Sequence, residues 1–171
     1  VYKYIAETGN MAFLDEVIPF ANHGEATIYE HLKRALDFSI RHMGPHGMPA
    51  GLFADRNDCL RLGADGESSL VAFQFYYAFT ILKEFAKCQK DAGYLAWLMR
   101  EQSVLREKLN LLCWDGDRFI RGFTENGETI GEHTAPEASL WLNPQSWAVI
   151  SGLADAEQAE RAMGIVYERL N

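Results

Sequence analysis

The sequence predicts an all-α fold of helical hairpins with long loops and one small β excursion. Three observations predict it. Apolar residues recur at helical spacing through three long segments, 28–43, 67–90 and 94–112. Residues 44–66 between the first two carry Gly, Pro and Asp throughout, and a loop above about 15 residues in a compact domain is often functional. Residues 118–123 alternate like a strand and lead to Asn126-Gly127, a hairpin turn dipeptide.

The elements follow in order. Residues 1–8 read as a helix closing at Gly9-Asn10. Leu14, Val17 and Ile18 suggest a short helical turn halted by Pro19. Thr27 followed by Glu30 is a capping box, and it opens an amphipathic helix in which Ile28, Leu32, Ala35, Leu36 and Ile40 share a face. Met43-Gly44-Pro45 ends that helix. The helix from Glu67 is apolar nearly all round in its first half, so that half is expected in the core. Asp91-Ala92-Gly93 separates it from the third helix. The β excursion is expected to run to about residue 139. Asn143-Pro144 then starts a short helix to Gly152, with Pro in its first turn. Asp155 caps a last helix with Ala159, Ala162, Met163 and Val166 on its apolar stripe. No fixed-period repeat and no low-complexity segment interrupts this order.

A length of 171 residues suffices for one domain with a real core. The longest apolar runs are too short to span a bilayer, so no membrane partner is expected. No basic segment followed by an apolar run opens the chain, so no signal peptide is expected. The formal charge of −8 disfavours nucleic acid as a partner, since a phosphate backbone calls for a basic face. Cys59, Cys88 and Cys113 are odd in number and form no metal spacing. They read as reduced thiols of a cytoplasmic protein. The chain opens at Val1 within an apparent helix and closes at Asn171, and both ends suggest a piece of something longer.

The densest chemistry lies in Ala54-Asp55-Arg56-Asn57-Asp58-Cys59-Leu60-Arg61-Leu62-Gly63. Either Asp55 or Asp58 could act as a general acid if its carboxyl stays protonated near neutral pH. Spacing alone favours turn or cap carboxylates bonding their own backbone. Arg56, Arg61 and Arg121 offer guanidinium forks that suit phosphate, against the commoner role of solvated surface. His42 and His46 are separated by Gly44-Pro45, so they do not share a helical face as a metal pair would. The aromatics Phe73, Phe75, Tyr76, Tyr77 and Phe79 could stack on sugar faces, but their helical density favours core packing. Trp141 and Trp147 flank Asn143-Pro144-Gln145-Ser146, a mixture that suits carbohydrate binding with Gln145 as a candidate, and that buried Trp with capping residues explains nearly as well. No P-loop, dinucleotide glycine pattern or serine elbow is present.

The run Met48-Pro49-Ala50-Gly51-Leu52-Phe53 into Ala54-Asp55-Arg56-Asn57-Asp58-Cys59-Leu60-Arg61-Leu62-Gly63, with Gly66-Glu67-Ser68-Ser69 after it, resembles the cellobiose phosphorylase family, glycoside hydrolase family 94. The segments Gly24-Glu25-Ala26-Thr27-Ile28-Tyr29-Glu30-His31-Leu32, Arg121-Gly122-Phe123 and Asn143-Pro144-Gln145-Ser146-Trp147-Ala148 look like further blocks of that family in the same order. The resemblance covers almost the whole chain. It implies part of an (α/α)6 barrel, with residues 1–171 as one incomplete catalytic-domain piece. It implies an inverting disaccharide phosphorylase that cleaves a β-linked, cellobiose-like glucosyl disaccharide with inorganic phosphate as co-substrate. No other cofactor and no metal is implied. The family's loop reads Ala-Asp-Trp-Asn-Asp, and its last Asp, the general acid, corresponds to Asp58. Arg56 stands where the family has a sugar-site Trp, and Asn57 and Asp55 are placed around the acid. Homodimerisation of the full-length protein is implied by the family alone. A hydrolase on the same barrel and a non-catalytic sugar-binding piece are the alternatives. The isolated piece is expected to be inactive and, with an apolar barrel seam exposed, prone to aggregate.

Overall fold

The computed structural model describes residues 1–53, 55 and 60–170. It is mostly helical, with two small sheets inserted between helices. Helix α1 spans Tyr2–Thr8 and ends at Gly9, whose left-handed conformation returns its N–H to the Ile5 carbonyl. A 3-10 turn at Met11–Asp15 follows. Strand β1 (Val17–Pro19) then pairs antiparallel with β2 (Glu25–Thr27). The short helical turn expected around Val17 is therefore confined to residues before it. Val17 and Ile18 are β-branched, and their backbone is taken by β2.

Helix α2 (Ile28–Arg41) starts as the capping box requires, with Thr27 Oγ1 accepting from the Glu30 N–H at 3.2 Å. The helix expected from Glu67 begins two positions later. Glu67–Ser68 forms strand β3, which pairs with Gly122–Phe123 (β4), and β4 pairs in turn with Thr129–Ile130 (β5). Ser68 is then the cap of α3 (Ser69–Cys88), its Oγ accepting from the Val71 N–H at 3.3 Å. Helix α4 (Ala92–Cys113) runs back along α3. Its antiparallel course is marked by Ser69 Oγ against Cys113 Sγ at one end, then Gln102 Nε2 bonded to the Tyr76 carbonyl, and then Phe79 beside Trp97 one turn further along α3. Helix α5 (Leu142–Ile150) packs on α3, and α6 (Ala156–Leu170) packs on α5. Asp155 and Gln158 exchange bonds across the start of α6.

α3 is the centre of the molecule, with α2, α4 and α5 against it. Phe73, Phe75, Tyr76 and Phe79 are buried there, as their spacing favoured, whereas Tyr77 is half-buried and meets Trp147 of α5 at 6.2 Å between ring centres. Phe73 meets Phe119 of the β excursion edge-on, at 5.4 Å between centroids, which seats that excursion against the end of the hairpin.

Asp91 caps α4 rather than merely breaking the chain. Its Oδ1 accepts from the Tyr94 N–H at 3.1 Å, and its Oδ2 meets the Tyr29 hydroxyl and Lys33 Nζ, each at 3.3 Å. The Tyr94 N–H holds the carboxyl below the usual range against opposition from burial, and Lys33 adds to the lowering. A carboxyl lowered in the folded state stabilises above its unfolded pKa of about 3.9, and that contribution is lost as pH falls through the folded value. Asp91→Ala is thus expected to lower unfolding free energy by about 1–2 kcal/mol at neutral pH. The difference from the parent should shrink in acid. Denaturant titrations of both proteins at neutral and acid pH check this, and a difference that persists undiminished in acid would contradict it.

Candidate active site

Residues 42–67 leave the bundle at the end of α2 and return to it at β3. The stem of this excursion is a short ladder. Met43 bridges Pro49, Ala50 bridges Glu67, and the Ala50 N–H reaches the His42 carbonyl at 2.9 Å. Gly51 N–H donates to the Gly66 carbonyl at 2.7 Å, and Leu52 N–H donates to the Ala64 carbonyl at 3.1 Å. Above these rungs, Leu52 and Phe53 adopt left-handed φ values of 50° and 64°, an uncommon conformation outside glycine. Phe53 projects into solvent, 84% exposed.

Glu67 anchors the stem from within. Its side chain is 1% exposed. Its Oε1 accepts from the Met48 N–H at 2.8 Å, and its Oε2 accepts from the His46 N–H at 3.0 Å while contacting His46 Nδ1. The His46 ring is stacked on Phe123 at 4.0 Å. Gly44 lies so close that a Cβ there would come within 2.4 Å of Glu67 Cγ. His42 turns elsewhere, to the Phe38 carbonyl at 2.7 Å. Among the described residues no group of three or more His, Cys, Asp or Glu could hold a metal ion.

Beside the stem, Arg121 and Asp55 form an ion pair with side chains only 1% and 4% exposed. Arg121 Nη2 donates to Asp55 Oδ2 at 2.5 Å and Nη1 donates to Ser68 Oγ at 2.8 Å. The guanidinium lies 5.6 Å from the centre of the Trp141 ring. The sequence favoured solvated surface for any single Arg. Burial corrects this for Arg121, because a guanidinium so enclosed is tolerated only against a charge partner, whereas Arg61 is exposed as expected. Two glycines make room. Gly122 has φ 150°, and a Cβ there would meet the Glu67 carbonyl oxygen at 2.2 Å. A Cβ on Gly131 would press Arg121 and Trp141 at about 3.0 Å.

The same β excursion grips the far flank of the run. Glu125 N–H donates to the Leu62 carbonyl at 2.7 Å, and Glu125 Oε2 accepts from the Ala64 N–H at 3.2 Å. Asp55 on one side and Leu62 with Ala64 on the other are therefore fastened to one element. Arg56, Asn57 and Asp58, the remaining candidates of this run, lie outside the described residues. Cys113 lies below the stem, where burial pushes its thiol up to about 12, which removes it as a thiolate nucleophile.

Gln145 is held away from solvent. It is fully buried, its Oε1 accepts from the Phe119 N–H at 2.7 Å, and its Nε2 donates to the Phe119 and Trp141 carbonyls at 2.8 and 3.0 Å. These bonds tie the β excursion to the start of α5, and they occupy the amide that the sequence offered to a sugar. Glu67 and Ser68 were read as the start of a helix and not as site residues. The signals available were the place of both residues in the family-like run Gly66-Glu67-Ser68-Ser69 and the fitness of Ser68 as a helix cap; the partners of Glu67 lie far along the chain.

The family model described as the Glycosyl hydrolase 94 superfamily, catalytic domain, matches residues 1–171, and the chain belongs to this family. It is 39% identical to an N,N'-diacetylchitobiose phosphorylase of Vibrio furnissii over 99% of its length and 21% of that protein. It is 43% identical to an N,N'-diacetylchitobiose phosphorylase of Vibrio proteolyticus, with the same coverage of 99% and 21%. It is 34% identical to a solabiose phosphorylase of Paenibacillus borealis over 100% of its length and 23% of that protein. The chain thus spans about a fifth of the length of these curated relatives. Among the described residues no helix is long and apolar enough to cross a membrane.

Proposed function

We propose that the intact protein catalyses inverting phosphorolysis of a β-linked disaccharide, with Asp58 as general acid. A phosphate oxygen attacks the anomeric carbon while the bond to the leaving sugar breaks. The Asp58 proton passes to the leaving oxygen, giving an α-glycosyl 1-phosphate and a free sugar. An inverting hydrolase requires a second carboxylate to activate water. Phosphate arrives as an anionic nucleophile, so one acid suffices. The observation that carries this reading is the engagement of Asp55 with buried Arg121. It commits Asp55 to accepting hydrogen bonds and leaves Asp58 as the carboxyl of the run for proton donation. Arg56 and Asn57 are proposed to flank the sugar.

Residues 1–171 are proposed as part of one (α/α)6 catalytic domain of a cytoplasmic homodimer, active only when the rest of the domain is present. The glycosyl group is proposed to be glucose-like. The identity to two diacetylchitobiose phosphorylases makes the N-acetylglucosaminyl disaccharide the first alternative substrate to test. The experiment is an initial-rate assay of the intact protein on cellobiose, N,N'-diacetylchitobiose and solabiose, with and without phosphate. Expected is sugar 1-phosphate formation from one of them that depends wholly on phosphate. Release of reducing sugar at the same rate without phosphate would establish a hydrolase instead, and binding without turnover would establish a non-catalytic domain.

A further inference from the structure

We infer that Arg121 is a positioning residue for this reaction, holding the chain on which the acid is carried through Asp55 and Ser68. The inference rests on the reading of Asp58 as the acid, three residues after Asp55.

Four observations carry it. The Arg121 and Asp55 side chains are almost completely enclosed, although a loop carboxylate needs no buried partner to fold. Replacing such a pair by apolar side chains is commonly neutral or stabilising, so stability alone does not account for it. The guanidinium uses its fork on two different elements, Asp55 of the loop and Ser68 at the start of α3. A lysine ammonium, a point charge, does not reproduce that geometry. The element that bears Arg121 is itself immobilised. Gln145 pins Phe119 from α5, β4 pairs on both sides, and Glu125 binds Leu62 and Ala64 beyond the run. Among the described residues the buried Nε of Arg121 meets no acceptor, so the contacts that fix the side chain there are those to Asp55 and Ser68.

A small displacement of an acid from its leaving group is expensive in rate. The effect should fall on the step that needs the proton and spare binding. The test uses the intact protein with Arg121→Lys and, because one charge alone could fail to fold, the double variant Asp55→Asn with Arg121→Gln, which leaves no buried charge unpaired. Two substrates are compared: the disaccharide turned over by the parent, and the 2,4-dinitrophenyl β-glycoside of the same sugar, whose leaving group needs no proton. Expected is a fall in kcat on the disaccharide of about 10- to 100-fold, with KM for sugar and phosphate and turnover of the aryl glycoside changed by less than about threefold. Equal losses on both substrates, or an undiminished kcat on the disaccharide, would overturn the inference. Asp58→Asn in the same assay separates the two claims. If it keeps disaccharide turnover, the assignment of the acid fails. If it loses disaccharide turnover selectively while the Arg121 variants do not, only the positioning role fails.

Discussion

Asp58→Asn in the intact protein is expected to lower kcat for phosphorolysis by at least about a hundredfold, the ordinary scale of general acid catalysis. The amide matches the carboxyl in shape but supplies no acidic proton, so the glycosidic oxygen must leave as an alkoxide. A hundredfold loss corresponds to about 2.7 kcal/mol of transition-state stabilisation. Phosphate attack needs no base, so nothing else in the step compensates or fails. KM for phosphate is therefore expected to stay near that of the parent, and the alkaline limb of the pH–rate profile, which reports deprotonation of the acid, is expected to vanish. Initial rates at saturating phosphate across pH measure both effects. Near-parental turnover would remove Asp58 from the chemistry.

The helix boundaries were the most legible part of this chain because their signals are local. Thr27 with Glu30, Asp155 with Gln158 and Gly9 after Thr8 each close within about one turn of the residues they cap. The core was legible for a related reason: apolar residues crowd the first half of α3, and most of that half is buried. The strand at Glu67–Ser68 was not, since a two-residue strand has no periodicity and exists only through its pairing with Gly122 and Phe123.

The supports of the candidate loop were hidden from the sequence. Crowded polar residues marked 54–63, and Asp58 is proposed as the acid on the likeness to the family's loop pattern alone. Arg121 reaches Asp55 across 66 positions, and Glu67 reaches His46 across 21. No local pattern distinguishes such pairs from surface charges. Gln145 shows the converse. An amide between two tryptophans looks like a sugar contact in one dimension, but in three its hydrogen bonds run to the backbone of Phe119 and Trp141.

Glu67→Ala is expected to be among the most destabilising single substitutions in the chain, at about 3–5 kcal/mol. Three independent features of the fold meet at this residue. Its backbone pairs with Ala50 on one side and Phe123 on the other. Its carboxylate accepts the Met48 and His46 N–H groups, and Met48 is itself fully buried. Its stem fills the space left by Gly44. Alanine keeps the backbone pairing but leaves two N–H groups facing a cavity without an acceptor, and a buried donor so stranded forfeits its full desolvation free energy. Glu67→Gln separates the contributions, since it preserves volume and one acceptor oxygen and should cost only about 1–2 kcal/mol. Denaturant midpoints of the intact protein and the two variants provide the comparison. A loss for Glu67→Ala no larger than that of an exposed substitution would mean that the stem of the loop stands without its buried carboxylate. The activity of Glu67→Gln adds a second reading. If the stem sets where the run 54–63 emerges, kcat should fall further than the loss of folded protein explains, because Ser68, the next residue, receives Arg121.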